Sequence, residues 1–261
     1  MNARALALAL SLLASPSLAS AQERPREVHG TMLGHWGWDL GWSAVGAGLA
    51  IGGLALHPRA DAQVAPLDGE GHRPWNPDIG AASDVVLWGG LGASVASAFV
   101  VEAVGHRARG WRILRAPLVL SEAALMAFGF VSITKSLGSV CRPRAWRDDT
   151  GTCDSTAVDD RRAFPSGHTA PLAAMAGASL GLWLFPSRVD DTAAPLFAAT
   201  LALAGTNLVL RVAAGAHSWV DTSVGFTGGF ALGLATAALH TRRISLGPAS
   251  AGTGVSVSGV F

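Results

Sequence analysis

The stretch from Arg211 to Asp221 reads R-V-A-A-G-A-H-S-W-V-D and lies between two apolar runs. It places His217 six residues after Arg211 and four residues before Asp221. Positions i and i+4 share one face of a helix, so Asp221 can accept a hydrogen bond from one imidazole nitrogen. The other nitrogen then stays electron-rich beside a cation, an arrangement suited to attack on phosphate. Alone, this spacing also occurs by chance in many helices.

The chain around this stretch is a series of long apolar runs. Half of its 261 residues are hydrophobic and 14% are charged, and the mean hydropathy is +0.37. Strands do not alternate with helices. The pattern predicts an all-α, membrane-type helical bundle of five or six long helices. The runs cover 40–56, 85–104, 113–134, 169–185, 194–210 and 219–239, and an irregular, solvated loop is predicted over 57–82.

The last apolar run carries Gly225, Gly229 and Gly233 at four-residue spacing. Small residues at this spacing lie on one face of a helix and allow a neighbouring helix to approach closely. We therefore expect this helix to pack tightly against another one.

The two ends of the chain differ from the bundle. A basic residue, an apolar segment and the small residues Ala19-Ser20-Ala21 predict a signal peptide over 1–21, with a first membrane span as the alternative. The helical domain is expected over 22–243. The small, polar tail 244–261 is predicted to be irregular and flexible, although its alternating Val255-Ser256-Val257-Ser258 resembles a strand.

Charge decides the expected orientation. The segment 106–115 carries four arginines and no acid, which predicts a cytoplasmic turn. The polar loop 135–165 and Arg211–His217 would then face the periplasm of a bacterial-type cell envelope. If the signal peptide is cleaved and six spans follow, these two segments lie in the cytoplasm instead. The orientation is kept if 40–56 does not cross the membrane. A periplasmic or outer-membrane-associated protein is the alternative location. The net charge of +1 gives no indication of nucleic-acid binding.

The two cysteines, Cys141 and Cys153, fall in one polar loop. In an exported chain such a pair is expected to form a disulfide, with two unrelated thiols as the alternative. A bridge across so short a loop contributes about 3 kcal/mol in the chain-entropy model.

Two further stretches carry charged or catalytic residue types at the edges of apolar runs. One reads K-S-L-G-S-V-C-R-P from Lys135 to Pro143, and the other reads F-P-S-G-H-T from Phe164 to Thr169. With the Arg211–Asp221 stretch they resemble the signature of the type-2 phosphatidic acid phosphatase superfamily: K-x6-R-P, P-S-G-H, then S-R-x5-H-x3-D. Leu210 stands where the family usually has serine, which bears on substrate preference more than on the chemistry.

The resemblance implies a catalytic role for three residues. His217 is the expected nucleophile and forms a phosphohistidine, while Asp221 orients its ring. His168 is the expected general acid, which protonates the leaving oxygen and then activates water.

The same resemblance implies a set of phosphate-binding groups at the turns that precede or follow the helices. Ser166 is also expected to cap the helix that follows it. Three cations can take the electrostatic role that a divalent ion plays elsewhere, so no metal and no cofactor are predicted. The predicted phosphate-binding residues are Lys135, Arg142, Ser166, Gly167 and Arg211.

The expected function is hydrolysis of a phosphate monoester or diphosphate, with a phosphorylated membrane lipid as the leading substrate class. An exported acid phosphatase for small soluble esters is the second hypothesis. A vanadium-dependent haloperoxidase and a non-catalytic membrane protein with this fold are further alternatives. The oligomeric state is not indicated.

Some polar residues are left without a predicted role. Glu122 interrupts an apolar run, which makes it a candidate functional residue, with a structural acid as the alternative. No function is predicted for the histidines outside the three motifs, which are His35, His57, His72, His106 and His240.

Overall fold

The computed structural model describes residues 36–56, 64–69, 71–108, 113–155, 157–185, 193–240, 244–248 and 255–259. Within these ranges the protein is a bundle of six long helices, which confirms the predicted all-α architecture. The predicted signal peptide lies outside the described residues. The helices are α1 (Trp36–Ala55), α2 (Pro77–Val100), α3 (Arg115–Gly138), α4 (Thr169–Leu184), α5 (Ala194–Ala213) and α6 (Trp219–His240).

Contacts between helices show how they are directed. The helices α2, α4 and α6 run one way, and α1, α3 and α5 run the other way. We call the end at which α2, α4 and α6 begin the upper end, and the opposite end the lower end. The pairs that define these directions are Ser43–Glu122 and Gly53–Ser132 (α1, α3), Ser83–Arg211 and Gly90–Leu203 (α2, α5), Asp84–His168 and Gly90–Leu172 (α2, α4), Lys135–Gly167 (α3, α4), and Ala170–Gly229 and Ala174–Gly233 (α4, α6).

The central helix is α4. Thirteen of its sixteen residues are buried, and it packs against α2, α3, α5 and α6. Its small side chains let these four helices surround it closely. Because α4 lies in the interior, it positions whatever group stands at its first turn near the middle of the upper end.

The glycines of α6 lie against the backbone of α4. A Cβ atom on Gly229 would lie 2.2 Å from the carbonyl oxygen of Ala170, and one on Gly233 would lie 1.8 Å from that of Ala174. Any side chain at these positions would overlap the neighbouring helix. The close approach predicted from the glycine spacing is confirmed.

Helix α2 begins earlier than predicted. Asn76 Oδ1 accepts hydrogen bonds from the backbone N–H groups of Asp78 and Ile79, at 3.1 Å each, and Pro77 occupies the first helical turn. This is a strong helix start. The prediction of a loop over 57–82 was therefore wrong for 77–82, because the first turns of α2 are polar and the apolar run begins only at Val85.

The loop between α3 and α4 and the tail contain short strands. In the loop, β1 (Trp146–Arg147) pairs with β2 (Thr152–Cys153). In the tail, β3 (Ile244–Pro248) pairs antiparallel with β4 (Val255–Gly259). The prediction of an irregular tail is corrected for these two segments, since alternating small and β-branched residues suit an extended strand.

Four helices are long and apolar enough to cross a membrane, judged by length and composition. They are Pro77–Gly105, which joins α2 to a π-helical turn, together with α3, α5 and α6. Helix α4 is also apolar but shorter. The bundle is therefore of the membrane type.

We expect Gly233→Ala to destabilise the bundle, because the added methyl group overlaps the Ala174 carbonyl and forces α4 and α6 apart. Overpacking of this kind costs about 1–3 kcal/mol. Gly228 is a matched control on the same helix, since a Cβ there meets nothing within 4 Å. Thermal unfolding in detergent should show a lower Tm for Gly233→Ala than for Gly228→Ala. Equal Tm values would contradict the packing argument.

Candidate active site

The three motif stretches meet at the upper end of the bundle. The first follows α3, the second precedes α4, and the third links α5 to α6. The positive charges that act on the His217 ring come from Arg142, Lys135 and Arg211. Residues separated by up to 82 positions therefore share one cluster.

His217 is fully buried, and a hydrogen bond from Arg142 determines the tautomer of its ring. The distance from Arg142 Nη1 to His217 Nε2 is 3.1 Å. A guanidinium group only donates, so Nε2 accepts this hydrogen bond and the ring proton resides on Nδ1. The lone pair on Nε2 therefore points towards the cationic cluster.

Asp221 lies on the other side of the His217 ring. Its Oδ2 is 3.5 Å from His217 Nδ1, which is longer than a hydrogen bond. Among the described residues, neither His217 Nδ1 nor Asp221 Oδ1 has a hydrogen-bond partner. Catalytic hydrogen bonds are often long before substrate binds, and a shift of a few tenths of an ångström would complete this one.

A reciprocal cap fixes Asp221 at the start of α6. Asp221 Oδ2 accepts a hydrogen bond from the Ser218 backbone N–H at 2.9 Å, and Ser218 Oγ accepts one from the Asp221 N–H at 3.0 Å. This is a capping box with aspartate as the acid. The local sequence S-W-V-D therefore orients the carboxylate that faces His217.

Arg142 is held by an acid that the sequence analysis did not identify. Arg142 Nη2 donates to Asp159 Oδ1 at 2.9 Å, and Arg142 Nε donates to the Asp159 carbonyl at 2.9 Å. Its Nη1 also donates to the Ala216 carbonyl at 3.0 Å. These bonds fix the guanidinium plane against the His217 segment.

The segment that carries Arg142 is crosslinked. Cys141 and Cys153 form a disulfide, with their Cα atoms 5.9 Å apart. The backbone N–H of Cys141 donates to the Val64 carbonyl at 2.9 Å, and that of Arg142 donates to the Asp160 carbonyl at 2.7 Å. These contacts fix the loop at Cys141 and Arg142.

A second acid outside the motifs connects His168 and Arg211. Asp84 Oδ1, on α2, lies 2.9 Å from His168 Nε2 and 3.2 Å from Arg211 Nη1. Arg211 Nη1 also donates to Ser83 Oγ at 2.9 Å. Asp84 is 84 positions from His168, and no spacing rule links them, so only the packing of α2 against α4 and α5 identifies it.

Ser166 and Gly167, which were also predicted, lie between the other elements of the site. The Ser166 N–H donates to the Asp221 carbonyl at 2.9 Å, and Ser166 Oγ contacts Thr169 Oγ1 at 3.1 Å. The residue before α4 is His168, and no side chain caps that helix, so the prediction of a Ser166 cap was wrong. Gly167 lies beside Lys135, whose Nζ would be 3.4 Å from a Cβ there.

Burial and positive charge keep both histidines neutral. The pKa of His217 lies well below its usual range, first because of burial and then because of Arg142 and Lys135. The pKa of His168 is lowered to about 3 by burial, and then by Arg211 and Lys135. A phosphate group bound among these cations would offset their charge and raise both pKa values.

Comparison with protein families is consistent with this geometry. The family model described as PAP2 superfamily matches residues 116–245, which include all three motifs. Through this region the chain belongs to the PAP2 superfamily. Comparisons with curated proteins and with solved structures gave no match. The family supports a phosphatase-type activity, that of a phosphoric ester hydrolase.

We expect Asp84→Asn to lower kcat by roughly 10- to 100-fold, since it removes the carboxylate that orients His168 and stabilises its protonated form. KM should not rise, because the substitution removes a negative charge that repels a phosphate substrate. Asp78→Asn is the matched control, an exposed position on the same helix, and should behave like wild type. Steady-state kinetics and Tm are measured together. A parallel loss of Tm and of activity would indicate a purely structural role.

The buried His217 also predicts a pH-dependent stability. Its folded pKa is lowered, whereas in the unfolded chain it takes up a proton near pH 6.5. Stability is therefore fully present above about pH 6.5 and is lost as the pH falls, by at most about 1.4 kcal/mol per pH unit for one such group. Tm in detergent without phosphate should fall between pH 7.5 and 5, and less so in His217→Gln. An equal fall in both proteins would contradict this origin.

Proposed function

We propose that the protein is a metal-independent phosphatase that hydrolyses a phosphate monoester or diphosphate of a membrane lipid through a phosphohistidine intermediate. The observation that carries this proposal is the buried, neutral His217, whose Nε2 lone pair faces Arg142. A neutral imidazole directed into a cationic cluster can attack a phosphorus atom bound there, once the phosphate oxygens take over the hydrogen bond from Arg142.

In the first half-reaction His217 Nε2 attacks phosphorus. The N–P bond forms as the P–O bond to the leaving group breaks, and the leaving oxygen takes a proton from His168. Asp221 faces the Nδ1–H of His217 and stabilises the positive charge that develops on that ring. The product is the phosphohistidine enzyme and a free alcohol, or a monophosphate when the substrate is a diphosphate.

In the second half-reaction His168 acts as the base. Asp84 accepts from Nε2 of His168, so the other ring nitrogen, Nδ1, takes a proton from water. The water oxygen attacks phosphorus and the N–P bond breaks. Inorganic phosphate leaves, and His217 returns to its neutral form. Asp84 offsets the charge of the protonated His168 in both steps.

The phosphoryl oxygens are held by Lys135, Arg142 and Arg211. Both arginines are already fixed by hydrogen bonds, Arg142 to Asp159 and Arg211 to Asp84. Cations that are in place before substrate arrives need little reorganisation in the transition state. They supply the charge stabilisation that a divalent ion supplies in other phosphatases.

The surface beside the site supports a lipid substrate. The side chains of Asp84 and His168 are 53% and 27% exposed, which places the opening of the site near the start of α2. Next to it the exposed residues are apolar: Val85 and Trp88 on α2, and Val209 on α5. A headgroup could enter here while its acyl or prenyl chain stays in the bilayer.

The basic turn supports a site that faces the periplasm. The π-helical turn after α2 ends at Gly105 and α3 begins at Arg115, both at the lower end and opposite to the site. The positive-inside rule places the basic segment between them in the cytoplasm. Helix α1 also begins at the lower end and runs along α3. If all six helices cross the inner membrane, the residues before α1 are cytoplasmic as well. A translocated signal peptide over 1–21 is then incompatible with this orientation, and we give priority to the basic turn.

Phosphate release tests the proposal. Detergent-purified protein is incubated in EDTA with phosphatidate, undecaprenyl diphosphate or p-nitrophenyl phosphate. We expect wild type to hydrolyse a lipid, and His217→Ala to fall to the assay background. His168→Ala should lower kcat by about 10²–10⁴-fold on a lipid. The loss should be smaller on p-nitrophenyl phosphate, whose leaving group needs no proton. A rapid quench should trap an acid-labile phosphoenzyme in wild type.

The control is His106→Ala, which removes a partly buried histidine at the lower end and should keep normal activity. Activity in His217→Ala would remove the nucleophile assignment. Release from the small ester alone would favour an acid phosphatase for soluble substrates. Absence of release from all three substrates would overturn the proposed function.

A further inference from the structure

The lower end of the bundle contains a second cluster of ionisable residues, away from the phosphate site. It consists of Asp39 near the start of α1, Glu122 in the second turn of α3, and His240 at the end of α6. Glu122 lies thirteen residues before Lys135 on α3, which corresponds to about 20 Å along the helix. The cluster therefore does not contact the reacting phosphate.

The three side chains are close together and mostly buried. His240 Nε2 lies 2.6 Å from Glu122 Oε2, and His240 Nδ1 lies 3.7 Å from Asp39 Oδ1. One ligand atom from each residue can be chosen so that all lie within 4.8 Å of one another. The side chains of Asp39, Glu122 and His240 are 14%, 5% and 12% exposed.

We propose that Asp39, Glu122 and His240 bind one divalent transition-metal ion, such as Zn²⁺ or Mn²⁺, which joins α1, α3 and α6 at the lower end. One imidazole nitrogen and two carboxylate oxygens are a ligand set that suits these ions. Metal–ligand bonds of about 2.1 Å place such atoms roughly 3.4 Å apart in a tetrahedral site. The two carboxylates approach different nitrogens of His240, so binding one ion requires the side chains to turn until both oxygens face the same nitrogen. The three ligand atoms already lie within 4.8 Å of one another.

Charge also favours a divalent cation here. Two carboxylates close together in a low-dielectric environment repel each other. A divalent ion bound between them would offset this repulsion, with His240 as its nitrogen ligand. Water can complete the coordination, since the site lies at the end of the helices.

The role we assign to the ion is structural. Helix α1 packs along α3, and at this cluster its Asp39 also meets His240 of α6. A shared ion would fix all three helices at one point. It acts independently of the chemistry at the upper end, so chelation should lower stability before it lowers turnover.

The test measures metal content in full-length protein purified through a tag that contains no histidine. Mass spectrometry of metals after incubation with Zn²⁺ or Mn²⁺ and desalting should find about one ion per chain. Glu122→Gln and Asp39→Asn, which keep the side-chain shape, should lower the metal content per chain at least tenfold. His240→Ala should lower it by a similar factor. Added Zn²⁺ should raise the Tm of chelated wild type by roughly 5 °C and leave the Tm of the variants unchanged.

His106→Ala is the matched control. His106 Nδ1 lies 2.9 Å from Glu102 Oε2, a histidine–carboxylate pair at the same end of the bundle. Within the described residues no second carboxylate joins that pair in a three-ligand group. His106→Ala should therefore retain the metal. If wild type holds less than 0.1 ion per chain and its Tm does not respond to Zn²⁺ or Mn²⁺, the proposal is wrong and the cluster is a hydrogen-bonded clamp.

Discussion

The contact between α4 and α6 is the constraint on which the site depends. Gly229 and Gly233 allow the two backbones to touch, and the helices run in the same direction. Ala170 in the first turn of α4 lies beside Gly229, so α6 begins about ten residues, or roughly 15 Å, before this level, and its first turns lie alongside the segment that precedes α4. His168 stands before α4, and Asp221 lies in the first turn of α6. The hydrogen bond from the Ser166 N–H to the Asp221 carbonyl fixes the remaining freedom between them. A packing feature within the bundle thus sets the separation between His168 and the segment that carries His217.

Burial of cations at the upper end explains the acids found there. Arg142 and Arg211 are 2% and 4% exposed, and a buried charge is tolerated only when it is paired. Asp159 pairs with the first and Asp84 with the second, each from the more exposed rim of the site. In the proposed mechanism the same arginines also bind the phosphate, so each guanidinium group is shared between its carboxylate and the substrate.

Local patterns explain which features could be predicted from sequence. The apolar runs identified six helices, and three motif spacings identified the residues that converge on His217, because both signals depend on neighbours within a few turns. Asp84 and Asp159 have no such signal, since their partners come from other elements. The polar start of α2 was mistaken for a loop for a related reason. Asp84 is polar because it faces the site, and a scan for apolar residues cannot distinguish a functional polar face from a solvated loop.

The lower end shows how burial alone fails to separate structural acids from binding ones. Glu102 and Glu122 are both buried carboxylates, and each meets a histidine. Glu102 also accepts the Ala116 N–H at the start of α3 at 3.2 Å, so a helix terminus and one i,i+4 pair account for it. Glu122 is different because a second carboxylate, Asp39, approaches the same histidine. This second carboxylate completes a group of three possible metal ligands, which the Glu102 pair lacks among the described residues.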